Sequence, residues 1–256
     1  MDPEGYRSLF DLTGRTAIVT GGTRGIGRSI AEGMACAGAR VVVASRSAEA
    51  CTATEAHLVD SGFEALGVPT HMGDLDAVEA LAAAAVERYG GVDIVFNNAA
   101  NALAQPIGAQ TAAAWQKSFE VNLQGPALLV QACLPQLEAS PHASVVNVIS
   151  VGAFMFSRGF SIYGAMKAAL LSYTRAAAGE LAPRGIRVNA LAPGPVDTDM
   201  VRNQGPEAAR SMGAGTLLGR LAHPDEMVGP ALLLASDAGR FITGQVLVAD
   251  GGLHPH

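Results

Sequence analysis

Thr16-Ala17-Ile18-Val19-Thr20 runs without interruption into Gly21-Gly22-Thr23-Arg24-Gly25-Ile26-Gly27. The apolar run predicts a strand, and residues 26–37 predict a helix that opens directly out of the glycine turn. In that order, strand, turn and helix make an anion cradle. Missing side chains let a pyrophosphate approach the backbone, and the helix N-terminus supplies N–H donors and the positive end of its dipole. Gly21, Thr23, Arg24, Gly25, Ile26 and Gly27 are therefore candidate cofactor-binding residues.

Strand-like runs continue outward from this stretch, at Thr16–Thr20, Arg40–Ser45, 65–70, 92–96, 144–149, 186–191 and 245–248. Helical patterns fall between them, at 26–37, 48–61, 76–89 and 162–182. Several strands are near-continuous Val, Ile and Ala, as in a parallel sheet covered on both faces. The alternation predicts an α/β chain, with residues 1–256 forming one doubly wound Rossmann-type domain around a parallel sheet of about seven strands. Two segments break the pattern. Residues 198–221, with Gly205, Pro206, Gly213, Gly215 and Gly219, read as a mobile substrate lid, and residues 97–110 read as a loop. Both belong at the carboxyl ends of strands, where open α/β sheets bind ligands.

Hydrophobic residues make up 49% of the 256 and charged residues 16%, enough apolar chain for one sizeable core. The net charge of −6 argues against nucleic acid or an acidic membrane surface as a partner, since both need a basic footprint. Cys36, Cys51 and Cys133 are odd in number and far apart, so they read as reduced thiols in a cytoplasmic protein. The histidines show no metal spacing, and His254 and His256 read as a polar tail. The first twenty residues carry acids and no apolar signal-peptide run, and no apolar stretch reaches membrane-spanning length.

The chain holds two lysines against fifteen arginines, and one of the two, Lys167, follows Tyr163 by four residues. On a helix that spacing puts both on one face, one turn apart. A phenol titrates near 10, and a neighbouring ammonium lowers that value, giving a tyrosine able to act as general acid or base. The bland alternative is a half-buried tyrosine on a solvated turn.

The glycine loop and the Tyr163-Gly164-Ala165-Met166-Lys167 segment together resemble the short-chain dehydrogenase/reductase family, over about Leu12 to Gly252. The resemblance is to its 3-oxoacyl-thioester reductase type. It implies that Tyr163 is the acid/base, that Ser150, thirteen residues earlier, holds the substrate oxygen, and that Asn122 in Asn122-Leu123-Gln124-Gly125 holds a relay water. It places Asp74 at the adenine, Asn98 and Ala99 beside the cofactor, and Pro193, Gly194, Val196 and Thr198 along the nicotinamide. Lys167 would also hold the ribose. Two positions depart from the pattern: Ala100 stands where a glycine is usual, and Ile149 where a second serine is common.

The second strand ends at Ser45-Arg46, where an acid would select NAD(H) by repelling a 2′-phosphate. The acid is absent, and Arg46 and Arg24 suit a phosphate dianion. The expectation is NADP(H) in preference to NAD(H), with NAD(H) still possible. The substrate is expected to be a small carbonyl or alcohol, apolar or of 3-oxoacyl type, since Phe154, Met155 and Phe156, with Leu103, Pro195 and Met200, suggest an apolar pocket and no basic cluster is evident. The runner-up is an NAD-linked alcohol, hydroxysteroid or polyol dehydrogenase. A non-catalytic NADP(H) sensor would need none of the Asn122, Ser150, Tyr163 and Lys167 set. By family resemblance the chain is a homo-oligomer, a tetramer, with Ala165, Ala168, Ala169, Ala176 and Ala177 allowing close helix approach.

Overall fold

Seven strands lie side by side in the order β3-β2-β1-β4-β5-β6-β7, all parallel. They are β1 (Thr16–Thr20), β2 (Arg40–Ser45), β3 (Ala65–Pro69), β4 (Ile94–Asn97), β5 (Ser144–Val148), β6 (Arg187–Pro193) and β7 (Val246–Ala249). The computed structural model describes residues 4–5, 8–156 and 158–254, so His256 of the expected tail lies outside the described residues. The strand order reverses beside β1, where Val19 pairs with Val43 on one side and Phe96 on the other. A crevice opens at the carboxyl ends of strands at such a reversal.

Alternate strand residues feed two cores. Ile18, Val42, Val95, Val145 and Val188 face one side, and Ala17, Val19, Val41, Val43 and Phe96 the other. The first side is covered by α3 (Leu75–Tyr89), α5 (Gly125–Ala132) and α7 (Ser161–Leu181), through Leu81, Leu129 and Ala178. The second is covered by α1 (Gly25–Cys36), α2 (Ala48–Asp60) and α10 (Val228–Ala235), through Ile30, Leu58 and Leu234. Because both faces are covered, the strands lose the apolar–polar alternation of a half-solvated sheet. Each fully buried Leu, Ile or Phe contributes about 1.5–3 kcal/mol.

A buried polar chain docks α7 on the sheet. Asn97 Nδ2 donates to Asn147 Oδ1 (2.9 Å), Asn147 Nδ2 to Thr174 Oγ1 (2.9 Å), and Thr174 Oγ1 to Leu170 O (2.7 Å). These bonds fix β4, β5 and α7 relative to one another, so the start of α7 is held beside the end of β5.

Segment 198–221 is more ordered than its glycines suggest. It forms α8 (Asp199–Arg202) and α9 (Pro206–Ala214), broken at Gly205, whose φ of 96° only glycine adopts freely. Leu218 N donates to Gly251 O (3.1 Å), and Val196 bridges Ala222, so both ends are tied down.

Candidate active site

Ser150, Tyr163 and Lys167 converge at the carboxyl end of β5. Ser150 caps the short turn Val151–Ala153, its Oγ accepting from Gly152 N (3.1 Å). Tyr163 and Lys167 lie on the first turns of α7. Gly164 makes the approach feasible: a Cβ there would meet Gly152 O at 2.9 Å, so its absence lets α7 close on the serine turn. Lys167 is fully buried, its Nζ donating to Val148 O at 2.7 Å and lying 5.6 Å from the centre of the Tyr163 ring.

At the phenol, burial outweighs the lowering expected from Lys167. Burial pushes the Tyr163 phenol up to about 12, against the pull of its hydrogen bond with Ser150. Burial likewise pulls Lys167 down to about 7, because an ammonium without water is costly. The phenol is therefore protonated through neutral pH, the state a proton donor needs.

Asn122 sits in a single π-helical turn, Glu120–Gln124, that joins α4 (Ala112–Phe119) to α5. Such turns concentrate at functional sites. Its fully buried side chain is committed to the loop after β4: Nδ2 donates to Asn101 Oδ1 (2.9 Å), Asn101 O (3.1 Å) and Ser118 Oγ (3.0 Å), and Oδ1 accepts from Asn101 N (3.2 Å). Asn101 in turn donates to Lys117 O (3.0 Å). Asn101 is thus a site residue missed in the sequence, although it directly follows Asn97-Asn98-Ala99-Ala100.

A cleft of about 1740 Å³ runs from the glycine loop past Ser150 and Tyr163 to the 198–221 segment. Gly21, Thr23, Arg24, Gly25, Ile26, Gly27, Ser45, Arg46, Asn98, Ala99, Pro193, Gly194, Val196 and Thr198 line it, with Tyr163 and Lys167, as expected from the sequence. The loop is a tight cradle. A Cβ on Gly27 would fall 2.2 Å from Gly21 O and 2.3 Å from Asn98 Nδ2. Asn98 holds the loop by donating to Thr20 O (2.9 Å), and Thr20 Oγ1 accepts from the backbone N–H of Asn98 (3.0 Å) and Ala99 (3.1 Å). The exposed N-terminus of α1 opens onto this cradle, so the residues present fit a dinucleotide pyrophosphate.

Some expected members stand elsewhere. Asp74 caps α3, accepting from Ala77 N (3.2 Å), and is not on the cleft wall; Thr70 and Met72 line it instead. A short polar side chain preceding a helix finds its nearest partners in the free N–H groups of that helix. Leu103 is likewise off the wall, which Ala102 and Ala104 line. Arg24 lies 3.4 Å from Asp199 at the start of α8, while Arg46 has no hydrogen bond or ion pair among the described residues.

A family model described as enoyl-(acyl carrier protein) reductase matches residues 21–254. The human dehydrogenase/reductase SDR family member 4 is 39% identical over 98% of this chain and 92% of its own length. The rhamnolipids biosynthesis 3-oxoacyl-[acyl-carrier-protein] reductase of Pseudomonas aeruginosa is 36% identical over 96% of this chain and 98% of its own. The chain belongs to the short-chain dehydrogenase/reductase family. A gluconate 5-dehydrogenase from Burkholderia cenocepacia, solved with NADP and tartrate, superimposes on this short-chain dehydrogenase/reductase with a TM-score of 0.91, at 33% identity over 96% of this chain and 97% of that one. Like its relatives, this short-chain dehydrogenase/reductase is an oxidoreductase acting on CH–OH groups with NAD(P).

Proposed function

We propose that this enzyme interconverts a carbonyl and a secondary alcohol with NADP(H) in preference to NAD(H), on an apolar or 3-oxoacyl-type substrate. The observation that carries this reading is the convergence of Ser150, Tyr163 and buried Lys167 on a cleft that begins in the glycine cradle. NADP(H), when bound, supplies or accepts the hydride. Gly21 to Gly27 would hold its pyrophosphate, and Arg46 with Arg24 its 2′-phosphate. The NADP named in the B. cenocepacia structure supports that choice.

The chain's own residues handle the oxygen and the proton. Ser150 donates to the carbonyl oxygen as negative charge develops there. Tyr163 gives that oxygen its phenolic proton in reduction and takes it back in oxidation. The ammonium of Lys167 stabilises the phenolate that reduction leaves. Asn122 holds Asn101 and the π turn in place behind them and completes the proton path. The apolar wall of Phe154, Met155, Met200 and Met212 excludes water from the reacting carbon. The 198–221 segment acts as the lid over that wall.

NADPH oxidation across 3-oxoacyl thioesters, diketones, cyclic ketones and 3-ketosteroids tests the substrate reading. One class reduced well above the rest fits it, and silence from all of them with NADPH bound favours the sensor alternative. Arg46→Ala should lower kcat/KM for NADPH by about tenfold or more while changing NADH little. Equal loss with both cofactors would remove Arg46 from 2′-phosphate recognition.

We place the enzyme in the cytoplasm as a homotetramer. Free thiols at Cys36, Cys51 and Cys133 support the first, and no helix among the described residues is long and apolar enough to cross a membrane. Ala165, Ala168 and Ala176 support the second, as they form an exposed small-residue stripe on α7; Ala169 is half-buried at its edge and Ala177 is in the core.

A further inference from the structure

The charges of the cleft run opposite to those of the chain. A protein of net charge −6 lines its cleft with Arg24, Arg46, Lys117, Arg158, Lys167 and Arg202, against the carboxylates of Asp197 and Asp199 alone among the described residues. Asp199 lies 3.4 Å from Arg24 in an exposed contact, and Asp197 is bound by Arg202 (2.7 and 3.0 Å). Lys117 is carried on α4, where its carbonyl accepts from Asn101 of the loop after β4. On the loop before α7 stands Arg158, which has no hydrogen bond or ion pair among the described residues.

The backbone next to Arg158 is tied down. The loop that carries it is tied across the cleft mouth by Gln105 N donating to Gly159 O (2.8 Å), and α7 begins three residues later at Ser161. The cleft residues just before it in the chain, Phe154, Met155 and Phe156, are apolar, and Arg158 itself is exposed. A guanidinium binds a planar anion in two parallel hydrogen bonds. We propose that Arg158 anchors an anionic group at the distal end of the substrate, so that the preferred carbonyl has an apolar body ending in a carboxylate or phosphate. The sequence reading found no basic cluster because this cation stands alone in the chain and gains its meaning from the cleft. The inference rests on the carbonyl-reductase reading but is testable apart from it.

The kinetic test uses matched pairs under saturating NADPH. One pair is 4-oxocyclohexanecarboxylate and its methyl ester; the other is acetoacetyl-coenzyme A and the neutral acetoacetyl-N-acetylcysteamine thioester. The first pair reads a free carboxylate, the second the phosphates of a carrier. The expected result is an anionic-to-neutral ratio in kcat/KM of about tenfold or more in at least one pair, carried by KM. Arg158→Leu should collapse that ratio towards one, and Arg158→Lys should restore part of it. Ratios near one in both pairs, or a ratio that survives Arg158→Leu, would overturn the proposal. Calorimetric titration of the enzyme–NADP⁺ complex with cyclohexanecarboxylate, its methyl ester, coenzyme A and N-acetylcysteamine separates the two readings. Tighter anion binding that Arg158→Leu abolishes, with no carbonyl reduced, would leave the anion site standing and the reductase reading failed. No such preference in the titration, with no turnover either, would sink both.

Discussion

Tyr163 and Lys167 share one corner of the cleft, Lys167 buried and Tyr163 half-buried, and burial acts on each in the direction of neutrality. The phenol rises to about 12 and the ammonium falls to about 7. For Lys167 the consequence for stability has a definite sign. An unfolded lysine titrates near 10.5, so between about 7 and 10.5 the unfolded chain binds the extra proton. Burying Lys167 therefore costs most below about pH 7, and the cost fades as pH rises towards 10.5. Lys167→Met, which keeps the volume and drops the charge, should raise the melting temperature more at about pH 6 than at about pH 10. Thermal melts at both pH values check this, and an equal shift would mean that Lys167 is not buried as an ammonium. In wild-type kinetics, carbonyl reduction should be fastest at low pH and fall through an apparent pKa near 7 as Lys167 loses its proton. That break should vanish in Lys167→Met, along with most of the rate.

The glycine loop and its helix form the element to which we assign cofactor binding. Gly27→Ala would press a methyl group to 2.2 Å from Gly21 O, which is backbone and cannot swing aside. NADPH affinity, read by fluorescence titration, should fall by about tenfold or more with the far-ultraviolet circular dichroism unchanged. Affinity within about twofold of wild type would show that the loop is not the phosphate cradle. This element was legible in the sequence because strand, glycines and helix are adjacent in the chain, as Tyr163 and Lys167 are adjacent on one helix turn. The π turn at Glu120–Gln124 was not legible, because one extra residue per turn changes no residue type. Asp74 is legible in two ways, since a carboxylate before a helix signals a cap as well as a ligand, and here it accepts from Ala77 N. Arg158 went unnoticed because its meaning comes from the residues folded around it.

At the scale of the molecule, one parallel sheet sets the strand-order reversal beside β1, the cradle above it and the docked start of α7 along a single edge. The exposed stripe on α7 is where we propose that copies of the chain assemble. Sedimentation of the wild type should give a homo-oligomer, and Ala176→Arg should shift it towards smaller species by placing a large cation on the stripe. A wild-type monomer would contradict the assembly. Cofactor binding should be visible in the whole fold as well. NADPH at about a hundred times its Kd adds about 2.7 kcal/mol of stability, a rise in melting temperature of about 5–10 °C for a chain of this size. NADH at the same concentration should raise it less. The central claim is that Ser150 and Tyr163 act on a carbonyl oxygen beside a bound dinucleotide, and NADPH oxidation by wild type and Tyr163→Phe on the best carbonyl of the panel tests it most directly. The account predicts turnover lowered by about 10²–10⁴-fold in the variant with NADPH affinity preserved. Near-normal turnover by Tyr163→Phe would contradict it.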